Sequence, residues 1–186
     1  MTLRSTFAAD LAAARRQKSG RLVPFLFPNV FAVAMYRLAS ALRTRGAVRT
    51  ARLATVVAHV LTGAEIDPQA VIGAGLFLEH TTGVVVGPGV VAGRNVVLGA
   101  AVLLGSRPES QSRPRTGFPM LGDNVTVWSK ASIIGPVRVG DYAIIGAHAL
   151  VLDDVPPNTV ARGIPARMFP NTLLRGRDTV RVPQGD

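Results

Sequence analysis

From residue 66 to residue 151 the sequence repeats every six residues. Every sixth position is Ile, Leu or Val, with one interruption. The thirteen positions are Ile66, Ile72, Leu78, Val84, Val90, Val96, Val102, Leu121, Val127, Ile133, Val139, Ile145 and Val151. Glycines recur between them at a density that an α-helix does not tolerate. An inward aliphatic residue in each short extended segment, followed by a tight corner, is typical of a parallel β-helix. With three faces per coil, the repeats predict a little over four coils.

The interruption covers residues 106–119 and has no six-residue phase. It contains three Arg, three Ser and three Pro, so we expect a loop that leaves the β-helix. Loops on a rigid repeat stack often carry binding groups. The alternative is an insertion that the fold merely tolerates.

The flanking segments differ from the repeats. Three segments, 3–18, 31–44 and 48–61, have the composition or apolar spacing of amphipathic helices. The helical region ends at Thr62 and Gly63. Pro156 and Pro157 follow the last repeat. The sequence therefore predicts a helical region at 1–64, a β-helix at 65–157 and a tail at 158–186.

Composition excludes several classes of protein. The chain of 186 residues is 48% hydrophobic and 17% charged, which is enough to bury a core. It has no cysteine, which excludes disulfides, a thiol nucleophile and thiolate metal sites. The apolar stretch 22–36 is interrupted by two prolines and an asparagine, and we recognise no signal peptide. We expect a cytoplasmic protein.

The positive charge is concentrated at the start of the chain. Residues 1–64 contain nine Arg and one Lys against the single acid Asp10, whereas the remainder is nearly balanced. A solvated basic helical face and a polyanion-binding surface both remain open, and nucleic acid is the less favoured partner.

One of the three histidines is a candidate catalytic residue. His59, His80 and His148 are too widely spaced for a three-imidazole zinc site, and we expect no metal. His80 follows the inward Leu78 at a turn, and Glu65 lies fifteen residues earlier, close to one predicted coil. A carboxylate and an imidazole on one edge could form a general-base pair. The alternative is a structural histidine.

Four segments resemble the serine O-acetyltransferases of the hexapeptide-repeat acyltransferase superfamily. They are Glu65-Ile66-Asp67-Pro68, Leu78-Glu79-His80-Thr81-Thr82-Gly83, Val151-Leu152-Asp153-Asp154-Val155-Pro156-Pro157 and Gly163-Ile164-Pro165-Ala166-Arg167. The resemblance extends over about residues 27–168. It implies a mainly β fold, a left-handed parallel β-helix with an α-helical N-terminal region, assembled as a homotrimer. The resemblance also allows a dimer of trimers.

The resemblance also implies roles for individual residues. His80 matches the general base and Glu65 its partner acid, with acetyl-CoA as acyl donor and no metal. CoA is expected between neighbouring subunits. The residues expected near it are Trp128, Lys130, Ala131, Ala147, Arg162 and Arg167.

The sequence departs from the family where the acceptor binds. The family's Arg-His-Pro, which helps to bind serine, corresponds here to Gly117-Phe118-Pro119, and Asp10 is the only acid before Glu65. We therefore expect an acceptor hydroxyl on a small molecule other than L-serine, bound by Glu79, Arg107 and Phe118. The chain ends in Gln184-Gly185-Asp186, without the terminal isoleucine that docks on cysteine synthase, so that partner is not expected.

The leading interpretation is a CoA-dependent O-acyltransferase. One alternative is a genuine serine O-acetyltransferase with a divergent loop. Another is a trimeric β-helix scaffold without catalytic activity.

Overall fold

The structure, a computed structural model, describes residues 3–17, 27–107 and 117–172. The N-terminal region is helical, with α1 at Leu3–Gln17, α2 at Pro28–Thr44 and α3 at Val48–Thr62. Pro28 occupies the first turn of α2, where a missing N–H costs nothing. Gly63 ends α3 in the left-handed conformation, with φ of 73°, and donates its N–H to the His59 carbonyl. Glycine is favoured there because it has no Cβ.

The β-helix is built from very short strands. They are β1 Glu65–Ile66, β2 Val71–Ile72, β3 Phe77–Leu78, β4 Val85–Val86, β5 Val91–Ala92, β6 Val97–Leu98, β7 Leu103–Gly105, β8 Met120–Leu121, β9 Thr126–Val127, β10 Ser132–Ile134, β11 Arg138–Val139, β12 Ile144–Ile145, β13 Leu150–Val151, β14 Thr159–Arg162 and β15 Arg167–Pro170.

Three parallel sheets form the faces of a prism. Sheet A has the order β1-β4-β7-β10-β13, sheet B the order β11-β8-β5-β2, and sheet C the order β15-β14-β12-β9-β6-β3. The chain passes from A to B to C in each coil, so every coil adds one strand to each face. This arrangement confirms the predicted parallel β-helix with a helical N-terminal region.

The thirteen predicted inward residues are all in the core. Each has at most 6% of its surface exposed, and Leu78, Val127, Ile133 and Val151 have none. They contact one another in a single buried cluster that runs through the prism. Each coil therefore buries its aliphatic side chains against the coils on either side.

The six-residue phase slips at one corner. Strand β1 pairs with β4 so that Glu65 faces Val85, twenty residues later, whereas Val85 faces Leu103 after eighteen. The turn from residue 79 to residue 84 thus holds two extra residues. The sequence does not reveal these two extra residues, because each face buries two aliphatic residues two positions apart. Val84 and Val86 are such a pair, with 0% and 1% exposure, so an aliphatic residue still follows Leu78 after six positions.

The prism continues beyond the predicted boundary at residue 157. Strand β14 pairs in parallel with β12, and its Ala161 is fully buried. Strand β15 then returns antiparallel to β14. The two prolines break the repeat just before this strand, which is why the sequence pattern ends too early. Residues 173–186, including the C-terminal end on which the expectation about cysteine synthase rests, lie outside the described residues.

A buried ion pair fixes the helices to the first coil. Arg37 Nε donates to Asp10 Oδ2 at 2.8 Å. Asp10 Oδ1 accepts the backbone N–H groups of Gly75 and Leu76 at 2.8 and 2.9 Å. Arg37 also donates to the carbonyls of Ile72 and Gly73. Since every charged oxygen and nitrogen of this pair has a partner, the desolvation cost of burying it is offset.

Tyr36 completes this contact. Its hydroxyl donates to the Ala70 carbonyl at 2.8 Å and accepts the Ile72 N–H at 3.2 Å. Burial of the phenol raises the pKa of Tyr36. The helices therefore cover the end of the prism at which the first coil would otherwise be open. No helix in the described part of the chain is long and apolar enough to cross a membrane.

Candidate active site

His80 lies on the edge of the prism where sheet C passes into sheet A, at the corner that holds the two extra residues. We call this the His80 edge. Leu78 is fully buried, Glu79 is half-buried and His80 is exposed, so the chain turns outward at this point. Glu65 is exposed at the start of β1, on the same edge.

Backbone hydrogen bonds hold the two segments together. The Glu65 N–H donates to the Val84 carbonyl at 2.8 Å, and the Gly83 N–H donates to the Gly63 carbonyl at 2.9 Å. The structure therefore brings the predicted base and the predicted acid to one corner. Among the described residues neither side chain makes a hydrogen bond or an ion pair. Both are thus available to a ligand or to each other.

The His80 edge continues through the later coils as a column of tight corners. Ala101, Lys130 and His148 have φ values of 53°, 63° and 58°, the left-handed conformation. Their N–H groups donate to carbonyls of the preceding coil at 2.9, 2.7 and 3.1 Å. Because side chains at these corners point away from the core, the column forms a continuous outer edge.

Several residues expected near CoA lie on this edge. Lys130 and Ala147 are exposed, and Trp128 is half-buried directly after β9. Coils are spaced about 4.8 Å apart, which places the corner of Ala147 roughly 14 Å from that of His80. An extended ligand could therefore run along the edge from His80 to these residues.

Ala131 does not fit that role. It is fully buried among the core residues, its N–H donates to the Trp128 carbonyl, and its carbonyl accepts the Leu103 N–H. Side chain and backbone are both used inside the prism. The expectation that Ala131 contacts CoA is corrected for this reason, since an inward position in the repeat leaves nothing to offer a ligand.

Arg162 and Arg167 face each other across the last pair of strands. They are directly opposite in the antiparallel register of β14 and β15, and both are exposed. The guanidinium of Arg162 stacks over the Phe169 ring at 4.2 Å. Stacking of this kind orients the guanidinium and leaves its N–H groups free for anions.

The second candidate region lies on the edge between sheets A and B, which we call the loop edge. Here β7 ends at Gly105 and β8 begins at Met120, and residues 108–116 lie outside the described residues. Arg107 and Gly117 form an antiparallel bridge that joins the two ends of the loop. Arg113 and Arg115, the other two arginines of the segment 106–119, are among the residues not described.

Phe118 packs against a surface made of glycine. Its ring lies over Gly87 and Gly89 of the preceding coil, so close that a Cβ on Gly87 would lie 2.5 Å from it and one on Gly89 closer still. The ring is half-buried and contacts the main core cluster. The sequence pointed to Phe118 but not to the surface on which its ring packs. The two glycines that flank Pro88 could have indicated that surface.

Arg107 packs against the following coil. It is half-buried as a residue, and its Nε and Nη1 are buried without a hydrogen-bond partner. Gly135 leaves room for it, since a Cβ there would lie 3.4 Å from both Cβ and Cζ of Arg107. The loop therefore covers coils on both sides, with Phe118 toward one and Arg107 toward the other.

One copy of the chain does not bring all the predicted site residues together. His80, Glu65, Glu79, Lys130 and Ala147 share the His80 edge, whereas Arg107 and Phe118 lie on the loop edge. Sheet A separates the two edges.

The remaining histidines differ in position. His59 is exposed on α3, away from both edges, and His148 is an exposed corner residue of the His80 edge, next to Ala147. In the described ranges no three His, Asp or Glu side chains are placed to bind a metal ion.

Comparison with known proteins agrees with this architecture. Residues 118–153 match the family of bacterial transferase hexapeptides with six repeats. A serine acetyltransferase of Mycobacterium tuberculosis is 37% identical over 164 residues, which cover 86% of this chain and 70% of that protein.

Solved structures give the same result. Soybean serine acetyltransferase, as apoenzyme, has a TM-score of 0.82 at 35% identity, covering 90% of this chain and 69% of the other. A serine acetyltransferase solved in complex with CoA has a TM-score of 0.80 at 29% identity, covering 90% and 70%.

The prism and these matches define a hexapeptide-repeat transferase with a left-handed β-helix. The chain belongs to the serine acetyltransferase family, and it is an acyltransferase. The names of these relatives do not support the expectation of an acceptor other than L-serine.

Proposed function

We propose that this enzyme transfers an acetyl group from acetyl-CoA to a hydroxyl of a small molecule, with His80 as general base. The observation that carries the proposal is the corner at residues 79–84. This corner holds two extra residues and an exposed His80, and Glu65 is exposed at the start of β1 on the same edge. The relatives compared above are named serine acetyltransferases.

The proposed reaction is a direct transfer. His80 removes the proton of the acceptor hydroxyl as its oxygen attacks the thioester carbonyl. The new C–O bond forms, the C–S bond breaks, and the proton passes to the leaving CoA sulfur. Glu65 orients the imidazole and stabilises the imidazolium formed in this step.

Acetyl-CoA is proposed to lie along the His80 edge. Lys130 and Ala147 are exposed there, Trp128 offers part of its ring, and Arg162 and Arg167 present two guanidinium groups at the last coil. Cationic groups of this kind suit the phosphates of CoA. The relative solved as a CoA complex shares this fold. Because acetyl-CoA is an intracellular metabolite, we place the enzyme in the cytoplasm.

A homotrimer is proposed because the two candidate regions lie on separate edges. In a threefold arrangement the His80 edge of one copy can meet the loop edge of the next. Next to the loop edge, sheet B carries an apolar strip at Val71, Val91 and Met120, which are 64%, 39% and 47% exposed. An exposed strip of this kind favours contact with another copy. Trimers could pair further through the exposed face of α3.

The finer proposal concerns the acceptor, for which we favour a small hydroxylated molecule other than L-serine. The only acid of the helical region, Asp10, is fully used by Arg37 and two backbone N–H groups. It is therefore not available to an ammonium group. Phe118 adds an apolar ring to the loop edge. A genuine L-serine acetyltransferase with a divergent loop is the second candidate, and the relatives' names favour it.

The experiment follows release of free thiol from acetyl-CoA with L-serine, L-homoserine, hydroxy acids, aromatic alcohols and sugars. The chain has no cysteine to interfere. Loss of a general base costs about 10² to 10⁴ in rate, so His80→Ala should fall by that factor. His59→Ala is the matched control, because His59 is also exposed but lies on α3, and it should keep the native rate.

Each alternative has its own result. Acceptor-dependent turnover that survives in His80→Ala contradicts the general-base role. A clear preference for L-serine contradicts the finer proposal alone. A chain that neither turns over nor binds CoA is the noncatalytic scaffold.

A further inference from the structure

We infer that the exposed side of α3 binds the surface of an anionic membrane. This binding is separate from the proposed acetyl transfer, because α3 belongs to the helical layer and lies on neither edge of the prism. It gives a use to the basic character of residues 1–64, which the proposed reaction does not need.

The first observation is that α3 buries small side chains and exposes large ones. Its buried side consists of three alanines and a threonine. Leu53, Val56 and Val60 are 61%, 50% and 74% exposed. Because they are three and four residues apart, they form one aliphatic stripe on the outer side of the helix. Burial of large aliphatic side chains is what stabilises a helix against a core, so their exposure favours a contact with an external apolar surface.

The second observation is the charge that surrounds this stripe. Arg49 and Arg52 are exposed and lie four residues before Leu53 and Val56, on the same side of α3. The three arginines of α1 are exposed as well. The only acid of the helical region, Asp10, is buried in its ion pair with an arginine of α2. The described helices therefore present arginines and no carboxylate to the outside.

An aliphatic stripe beside arginines suits the boundary between lipid headgroups and acyl chains. There the aliphatic side chains enter the apolar layer, and the guanidinium groups stay among the phosphates. Each arginine near an anionic leaflet strengthens the binding, and the cytoplasmic leaflet is anionic. A peripheral contact of this kind is compatible with the proposed location in the cytoplasm.

Two other occupants fit this surface less well. Pairing of trimers through α3 in a twofold contact would bring the arginines of one copy against those of the other, and like charges repel. A nucleic acid would neutralise the arginines, but its phosphates offer nothing to Leu53, Val56 and Val60. An anionic lipid surface satisfies the charge and the aliphatic stripe together.

The position of the helices is also favourable. They cover the end of the prism at which the first coil begins, so a bound membrane would leave both edges open to solvent. In the proposed homotrimer neighbouring prisms meet edge to edge, which places their three helical layers at the same end. Three copies of α3 would then bind one membrane, and their weak individual contacts would reinforce one another.

The test is co-sedimentation of the full chain with lipid vesicles. Vesicles of phosphatidylcholine alone are compared with vesicles that contain about 30% phosphatidylglycerol. The native chain should sediment with the anionic vesicles and stay in the supernatant with the neutral ones. Binding should weaken between about 0.05 M and about 0.5 M salt, because salt screens the charge of the arginines.

Two double variants separate the charge from the aliphatic stripe. Arg49→Gln with Arg52→Gln should weaken binding to the anionic vesicles by about 10-fold or more. Leu53→Gln with Val60→Thr keeps the net charge and the approximate size of the side chains. It should weaken binding by a similar factor and leave the dependence on salt in place.

Each double variant has a matched control on the prism. Arg94→Gln with Arg138→Gln removes the same charge from two exposed arginines outside the helices. Tyr142→Gln replaces a side chain that is 47% exposed between β11 and β12. Both controls should bind as the native chain does. Circular dichroism and thermal unfolding of every chain distinguish lost binding from lost folding.

Several results would overturn the inference. One is a native chain that does not bind the anionic vesicles. Another is equal binding by Leu53→Gln with Val60→Thr and the native chain, since the surface then acts only through its charge. Tighter binding of the native chain to duplex DNA than to the vesicles would assign the surface to nucleic acid.

Sedimentation velocity without vesicles tests the pairing of trimers. An assembly larger than a trimer that Leu53→Gln with Val60→Thr dissociates would assign the exposed side of α3 to a second copy, and would overturn the inference. None of these measurements uses an acyl acceptor, so a failure of the proposed acetyl transfer does not affect them.

Discussion

His80 lies where the repeat is broken. In a regular coil the six residues of each face are used by one strand and one corner, and their backbone groups bond to the neighbouring coils. The corner from residue 79 to residue 84 has two residues more. These allow Glu79 and His80 to leave the wall while Leu78 and Val84 remain fully buried. A candidate catalytic residue thus stands at a departure from the pattern that makes the rest of the prism stable.

Tyr36 gives a prediction about pH and stability at the scale of one residue. Burial raises its pKa above the usual value of 10.0, so the folded state holds the phenolic proton to a higher pH than the unfolded state. The resulting stabilisation is complete below about pH 10 and is lost as the pH rises through the folded pKa. Tyr36→Phe should lower the free energy of unfolding at pH 8 by about 1–3 kcal/mol, because the Ala70 carbonyl and the Ile72 N–H lose their partner.

The measurement is urea unfolding of both chains between pH 8 and pH 11. The difference between native and Tyr36→Phe should shrink above pH 10, since the native chain alone loses the contribution of the phenol. Tyr142→Phe, at an exposed tyrosine, should differ little from the native chain at pH 8. A difference that widens above pH 10 would contradict the assignment.

At the scale of elements, the loop is held to the prism by Phe118 and two glycines. Gly89→Ala should cost about 1–3 kcal/mol of stability, the usual range for overpacking, because the three atoms nearest to the new Cβ all belong to the Phe118 ring. In the Phe118→Ala background the same substitution should cost little. The two changes should therefore be coupled by about 1 kcal/mol or more.

Chemical unfolding of the four chains measures this coupling. Gly105→Ala is the matched control, because its Cβ would meet only ordinary contacts at 3.5 Å or more. Its effect should lie within about 0.5 kcal/mol of zero. Additive effects of Gly89→Ala and Phe118→Ala would mean that the ring does not rest on this glycine.

The elements were predictable to different degrees for physical reasons. Aliphatic period and helical spacing predicted the prism and three helices, because burial of one face fixes both patterns. The two extra residues before Val86 could not be predicted, since the buried Val84 continues the six-residue period of aliphatic residues. The strand β14 was missed because the two prolines precede it.

The candidate site was also predictable only in part. The fifteen residues between Glu65 and His80 predicted that both lie on one edge, since this separation is close to the length of one coil. Spacing could not show that Ala131 is inward, that Asp10 pairs with Arg37, or that Arg107 lacks a partner. Those facts depend on packing between segments that are distant in the chain.

For the whole molecule, the charge asymmetry becomes an exposed basic surface. The only acid of residues 1–64 is buried with Arg37, so its charge is neutralised inside. Arg4, Arg15, Arg16, Arg49 and Arg52 are exposed on the helices. This basic surface lies on the helices and not on either edge. Its role, as a solvated face or a polyanion-binding surface, is therefore independent of the acyl transfer.

The separation of the two edges leads to a prediction about shared sites. If each site combines the His80 edge of one copy with the loop edge of the next, His80→Ala and Arg107→Gln chains damage opposite sides of it. Equal amounts of the two, unfolded and refolded together, should give about a quarter of the sites with both native residues, by random assembly in a cyclic trimer. Acetyl transfer measured at low acceptor concentration should recover to about that fraction of the native rate. Mixing the same two folded proteins without subunit exchange is the control and should show no recovery. A refolded mixture that sediments as a trimer yet stays as inactive as its components would place both residues in the site of a single copy, and would overturn the shared arrangement.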